Sequence, residues 1–175
     1  MPLLFRRAIL ALPLSLAFGL VAGLVAPPAA ALEARSGKVV LSITGNVSRP
    51  NAGANADFDM AMLEKLPQHS FTTMTPWYPE PKTFTGPLLR DVLAAAGAKG
   101  SLLRAVALND YKTEIPAEDA NQYDMIVARL LDGKPMLTRE KGPLFIVYPF
   151  DSKASLRTAP FYSRSAWQLR ALDVR

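Results

Sequence analysis

The groups in this sequence that could do chemistry are amphipathic rings and a few charges set at loop positions. Trp77 and Tyr78 stand among Pro76, Pro79 and Pro81; Asp110 and Tyr111 follow Asn109; Tyr148 and Asp151 flank Pro149; Arg164 comes shortly before Trp167. Aromatic faces with one or two carboxylates and a guanidinium suit a flat, polar heteroaromatic ligand. Five of them also have a plainer reading. Trp77 could pack a helix onto a sheet, and Tyr111 and Tyr148 could be core or interface rings. Arg164 could be a solvated charge, and Asp110 could serve only its turn.

Catalytic arrangements are hard to find. The chain has no cysteine and one histidine, His69, which reads as a surface residue after Pro67. There is thus no thiolate for nucleophilic attack, redox cycling or soft-metal binding, and one imidazole builds no zinc or iron site by itself. The phosphate-binding patterns G-x-x-x-x-G-K and G-x-G-x-x-G are both missing. No pair of carboxylates is spaced for acid–base work.

The elements that must position these groups follow from pattern. Val39–Thr44 reads as a strand, and Asp57 as the cap of a short helix reaching Lys65, with Phe58, Met62 and Leu66 on one face. Phe71–Thr75 reads as a strand that breaks at Pro76, and the prolines that follow leave the aromatic pair in a loop without regular structure. Thr85 or Gly86 then caps a helix with Pro87 at its first position, Leu88, Leu89, Val92, Leu93 and Ala96 on its buried face, and Gly97 at its end. Leu102–Leu108 and Lys112–Ile115 read as strands around the Asn109-Asp110-Tyr111 turn, and Ala117–Tyr123 as a turn or one helical turn. Met125–Leu131 ends at Asp132-Gly133, a strong hairpin signal. Leu144–Tyr148 and Ala166–Val174 complete the set. About seven short strands in hairpin order with two short helices argue an α+β fold with a mixed or antiparallel sheet.

Composition bounds the rest. Of 175 residues half are hydrophobic, enough for one ordinary core. Arg6 and Arg7, the apolar run Ala8–Val25 and the small residues Ala29, Ala30 and Ala31 have the layout of a secretory signal peptide. An uncleaved membrane anchor is the alternative. Residues 1–31 are therefore expected to be a leader and 32–175 a single domain in the periplasm. Cleavage removes two arginines from a net charge of +5, and no basic stripe with interleaved aromatics argues nucleic-acid binding.

An ordered set of fragments carries a family likeness: L-S-I-T-G-N-V-S-R-P from Leu41, D-M-A-M-L-E-K-L-P from Asp59, F-T-T-M-T-P-W from Phe71 and F-T-G-P-L-L-R-D-V-L-A-A-A-G from Phe84. N-D-Y at Asn109, A-R-L-L-D-G-K-P-M from Ala128, K-G-P-L-F-I-V-Y-P from Lys141 and S-R-S-A-W-Q-L from Ser163 continue it. From about Val39 to Val174 the chain resembles the molybdopterin-binding domain of the sulfite oxidase family. The resemblance implies an α+β fold with a mixed, partly barrel-like sheet and a pterin site made by loops. Redox-active members place a molybdenum-ligating cysteine where this chain has Thr73, Met74 and Thr75. They place a basic residue where it has Ala166.

The departure makes the chain similar to small exported pterin-binding proteins of this fold. Such proteins bind a reduced pterin in the periplasm and regulate a membrane-bound enzyme that makes or degrades cyclic di-GMP. That likeness implies a pterin or molybdopterin-like ligand without molybdenum, the periplasmic domain of a membrane sensor as partner, and no catalysis. Trp77 and Tyr111 would contact the ring, and Arg164 or Asp151 would read its polar edges. The full candidate set is Thr75, Trp77, Tyr78, Asp110, Tyr111, Tyr148, Asp151, Arg164 and Trp167. Two other functions fit the same residues: an oxidoreductase or accessory subunit that holds the molybdenum cofactor through its pterin alone, and a ligand-free adaptor.

Overall fold

The computed structural model describes residues 31–175, so all but the last residue of the leader expected over 1–31 lies outside the described residues. In chain order the first elements are β1 (Val39–Gly45), β2 (Ala56–Asp59), α1 (Met60–Lys65), β3 (Gln68–Thr75), β4 (Tyr78–Pro87) and α2 (Leu89–Ala96). Then come β5 (Leu102–Ala107), β6 (Lys112–Pro116), α3 (Asp119–Gln122), β7 (Ile126–Ala128), β8 (Leu130–Leu131) and β9 (Lys134–Pro135). The chain closes with β10 (Phe145–Val147), α4 (Ala159–Arg164) and β11 (Leu169–Val174), with single 3-10 turns at Thr138–Glu140, Phe150–Ser152 and Ala154–Leu156. Among the described residues no helix is long and apolar enough to cross a membrane.

The main sheet has the order β2-β1-β11-β5-β6, with β1 and β11 parallel and the other neighbours antiparallel. Alternation builds it: Leu41 and Ile43 on β1 and Leu103, Ala105 and Ala107 on β5 are fully or almost fully buried, and their neighbours face outward. A second sheet runs β3-β4-β8-β9, and β10 pairs with β7. Mixed sheets with short helices make the α+β class expected. Among the described residues no sheet closes on itself, so the partly barrel-like form is not what is observed.

Four local expectations are corrected. The prolines after Pro76 do not prevent a strand: β4 runs from Tyr78 to Pro87 against β3. Pro79 and Pro81 are tolerated because β8 reaches only Phe84 and Thr85, leaving their part of β4 without a neighbour on that side. Asp57 does not cap α1. It lies in β2 with Phe58, and Asp59 caps instead, taking the Met62 N–H on Oδ1 at 2.9 Å and the Ser36 and Gly37 N–H groups on Oδ2 at 2.8 and 2.7 Å. Bonds from Met62, Gly37 and Ser36 hold the Asp59 carboxyl below the usual range. Pro87 ends β4 rather than opening α2, which starts after Leu88 without a side-chain cap and stops at left-handed Gly97 (φ 61°). Met125–Leu131 divides into β7 and β8, and the hairpin turn is Asp132-Gly133, both at positive φ (49° and 76°).

Candidate functional site

Trp77 sits at the tip of the β3–β4 hairpin. The register there jumps from Thr73↔Lys82 to Thr75↔Tyr78, so β4 carries two extra residues and the tip is splayed. The buried Thr75 hydroxyl accepts the Trp77 N–H at 3.4 Å. The indole then packs edge-on against Phe145 (centroids 5.2 Å) and Trp167 (5.6 Å, rings at 89°). Tyr162 and Phe150 are each 6.1 Å away. These are ordinary distances for T-shaped and tilted aromatic pairs.

Opposite stands the β5–β6 turn. Asn109 Oδ1 accepts the Tyr111 N–H at 3.2 Å, and Asp110 takes positive φ (64°) between them. Tyr111 is 43% exposed and donates its hydroxyl to the Ser163 carbonyl at 2.9 Å, joining the turn to α4. Trp167 forms a further wall, with the Lys141 ammonium 4.4 Å from its ring centroid. Trp77, Asn109, Tyr111, Tyr162 and Trp167, with Ser163 and Ser165, enclose a half-open pocket of about 300 Å³. No ionised side chain lines it. It offers aromatic faces, one amide, the two tyrosine phenols and two serine hydroxyls, Ser163 donating to the Pro160 carbonyl at 2.8 Å and Ser165 to the Phe161 carbonyl at 3.0 Å.

The structure thus gathers Trp77, Tyr111 and Trp167, with Thr75 supporting Trp77, and takes the other candidates elsewhere. Tyr148 is fully buried and donates to Asp119 Oδ2 at 2.7 Å; burial, then the bond to Asp119, pushes its phenol up. Arg164 turns from the pocket and donates to the same Asp119 oxygen at 3.0 Å. Asp151 Oδ2 accepts the Met74 N–H at 2.7 Å while its own N–H donates to Thr73 Oγ1 at 3.0 Å, which ties the loop to β3. Asp110 pairs with Arg170 at 3.0 Å. Tyr78 packs on Phe84 (6.3 Å), its hydroxyl buried without a protein partner, and burial first, then the charges of Glu140 and Asp132, push its phenol up.

Asn109, Tyr162, Ser163 and Ser165 were not among the sequence candidates. Asn109 adjoins a turn already singled out. The run A-P-F-Y-S-R, with Pro160 in the first turn of α4, is a helix start that carries an aromatic, and it was the signal available for Tyr162. Among the described residues no group of three His, Cys, Asp or Glu side chains could hold a metal ion.

No family model matches the chain, and no curated protein matches it. Among solved structures it is similar to the sulfane dehydrogenase SoxCD from Paracoccus pantotrophus, at 20% identity and a TM-score of 0.59. The likeness covers 77% of this chain and 37% of that one, so the chain spans well under half the length of the protein it matches. At that identity the likeness shows a distant relationship of fold alone.

Proposed function

We propose that the protein is a non-catalytic pterin-binding module with the sulfite-oxidase-type fold. In this reading it works in the periplasm and regulates a membrane-bound signalling enzyme of the cyclic di-GMP type through that enzyme's periplasmic domain. The observation that carries the reading is the pocket between Trp77, Tyr111 and Trp167. At about 300 Å³ it lies at the small end of ligand sites, a size for a bicyclic ring rather than a nucleotide. Its rings supply stacking and edge contacts, and its amide and hydroxyls can meet the amino and keto groups of a pyrimidinone edge. With no ionised group on the walls, a neutral ligand suits it better than an anion.

The molybdenum ion of the wider family fits these residues poorly. The positions that would supply a thiolate hold Thr73, Met74 and Thr75, and both hydroxyls are already engaged, Thr73 with the Asp151 N–H and Thr75 with the Trp77 N–H. Hydroxyl oxygens are poor substitutes for a soft sulfur ligand. The likeness to a dehydrogenase favours a second reading, an oxidoreductase that holds the molybdenum cofactor through its pterin alone. Metal analysis of protein from a cofactor-competent host separates the two, since one molybdenum per chain would support the second.

Calorimetry with a tetrahydropterin and its oxidised form tests the first reading. One site per chain is expected, weakened at least 10-fold by Trp77→Ala. Absence of binding by either form overturns it. The regulatory role further requires that the pterin change affinity for the sensor domain, because linkage makes the two bindings reciprocal.

A further inference from the structure

β3 is an edge strand of the second sheet, and its free edge lies apart from the aromatic pocket. On the neighbouring strand, Thr85 O accepts the Arg129 N–H at 2.9 Å and Thr83 O accepts the Asp132 N–H at 2.8 Å, so both residues turn their backbone groups away from β3. That makes Ser70↔Thr85 and Thr72↔Thr83 the non-hydrogen-bonded pairs of the antiparallel ladder. Their hydroxyls meet at 2.9 and 2.8 Å, as closely spaced pairs should. The N–H and C=O groups of Ser70 and Thr72 therefore point outward from the sheet.

Two residues on, the Met74 N–H points outward in the same way, and there Asp151 Oδ2 meets it at 2.7 Å. The carboxylate stands where the carbonyl of an added strand would stand. Toward Gln68 the edge has no such cover among the described residues. A groove of about 370 Å³ runs beside it. His69, Ser70 and Phe71 all border the groove; consecutive strand residues alternate faces, so the groove meets the edge of the strand. Its far wall includes Tyr123, Pro149 and Lys153, the ammonium lying 5.4 Å from the Tyr123 ring centroid. Asp124, also in the wall, is held by Arg90 at 2.8 Å, whereas Lys153 is in no ion pair among the described residues.

We propose that this groove takes an extended segment of a protein partner, which adds as a strand to β3 and places an acidic side chain against Lys153. Main-chain bonds from Ser70 and Thr72 supply the affinity of such strand addition, and the groove beside Ser70 supplies selectivity. A second copy of the chain fits less well. Its own β3 carries the same wall, which keeps two edges from reaching strand spacing of about 4.8 Å, and it brings a second Lys153.

The test is a selection of random decapeptides displayed on phage against the purified protein, with recovered peptides resynthesised and titrated. Peptides with an acid at a recurring position are expected. Thr72→Pro removes one outward N–H and no backbone bond of the ladder, although the hydroxyl pair with Thr83 is lost with it, and should weaken them at least 10-fold. Lys153→Glu should do the same and turn a fresh selection toward basic peptides; this variant leaves the backbone intact and decides the matter if Thr72→Pro does not fold. Recovery of no peptides, or of peptides that bind the folded variants as tightly as the parent, overturns the proposal. Neither result bears on pterin binding at Trp77.

Discussion

Two neighbouring regions use the same kinds of side chain in opposite ways. In the network of Tyr148, Asp119 and Arg164, a buried carboxylate takes both a phenol at 2.7 Å and a guanidinium at 3.0 Å on one oxygen, and little is left to offer a ligand. In the pocket of Trp77, Tyr111 and Trp167, the rings border open space and the polar groups are uncharged. Arg164 belongs to the first, while Ser163 and Ser165 on either side of it belong to the second. Charge here holds the wall, and neutral groups face the cavity. The difference teaches that a carboxylate or arginine near an aromatic cluster need not read a ligand, because burial makes its first need a protein partner.

Removing the shared partner should break this division most severely. Asp119→Ala leaves Arg164 and the Tyr148 hydroxyl without their acceptor, and urea denaturation should show a loss of about 3 kcal/mol. Binding should weaken as well, because α4 loses its anchor. A loss well below 1 kcal/mol would show that the network does not hold the wall. Next comes the pocket itself. Trp167→Ala should reduce pterin affinity by about 1–3 kcal/mol, the worth of one stacked ring, as read by calorimetry.

Tyr148→Phe sharpens the contrast from the other side. It should cost about 1 kcal/mol of stability while leaving the affinity for a pterin within twofold, since Tyr148 does not face the pocket. The smallest effect concerns Asp59, outside both regions. Its folded-state pKa is depressed, so its contribution is present above about pH 4 and is lost as pH falls through the folded value. Denaturation midpoints measured from pH 6 to pH 2 should fall less steeply in Asp59→Asn than in the parent.

In the main sheet β1 and β5 were legible to within a residue, β5 from its weak alternation, whereas β2 reads as loop and helix cap because all four of its residues are buried and nothing in it alternates. The β3–β4 hairpin was not legible either, since proline density reads as loop and nothing local reveals that Pro79 and Pro81 lie on an unpaired stretch. Asp57 reads as a cap because it directly precedes the apolar face of Phe58, Met62 and Leu66; the Ser36 and Gly37 N–H groups that favour Asp59 lie more than twenty residues back. Trp77 and Tyr111 share one pocket, and each was singled out because a ring between turn residues is itself a signal. Arg164 and Tyr148 do not line that pocket, which nothing local foretells because their common partner, Asp119, is 45 and 29 residues away along the chain. Fragment order and the missing cysteine suggested the fold and the ligand class together, and of these only a distant likeness of fold is shown.

The chain contains two tryptophans, and both line the pocket, so their indole N–H resonances report on that site and no other. A nitrogen–proton correlation titration with a tetrahydropterin should move both indole peaks together along one saturable curve. Two indole peaks that stay in place while the pterin is in large excess would contradict the account.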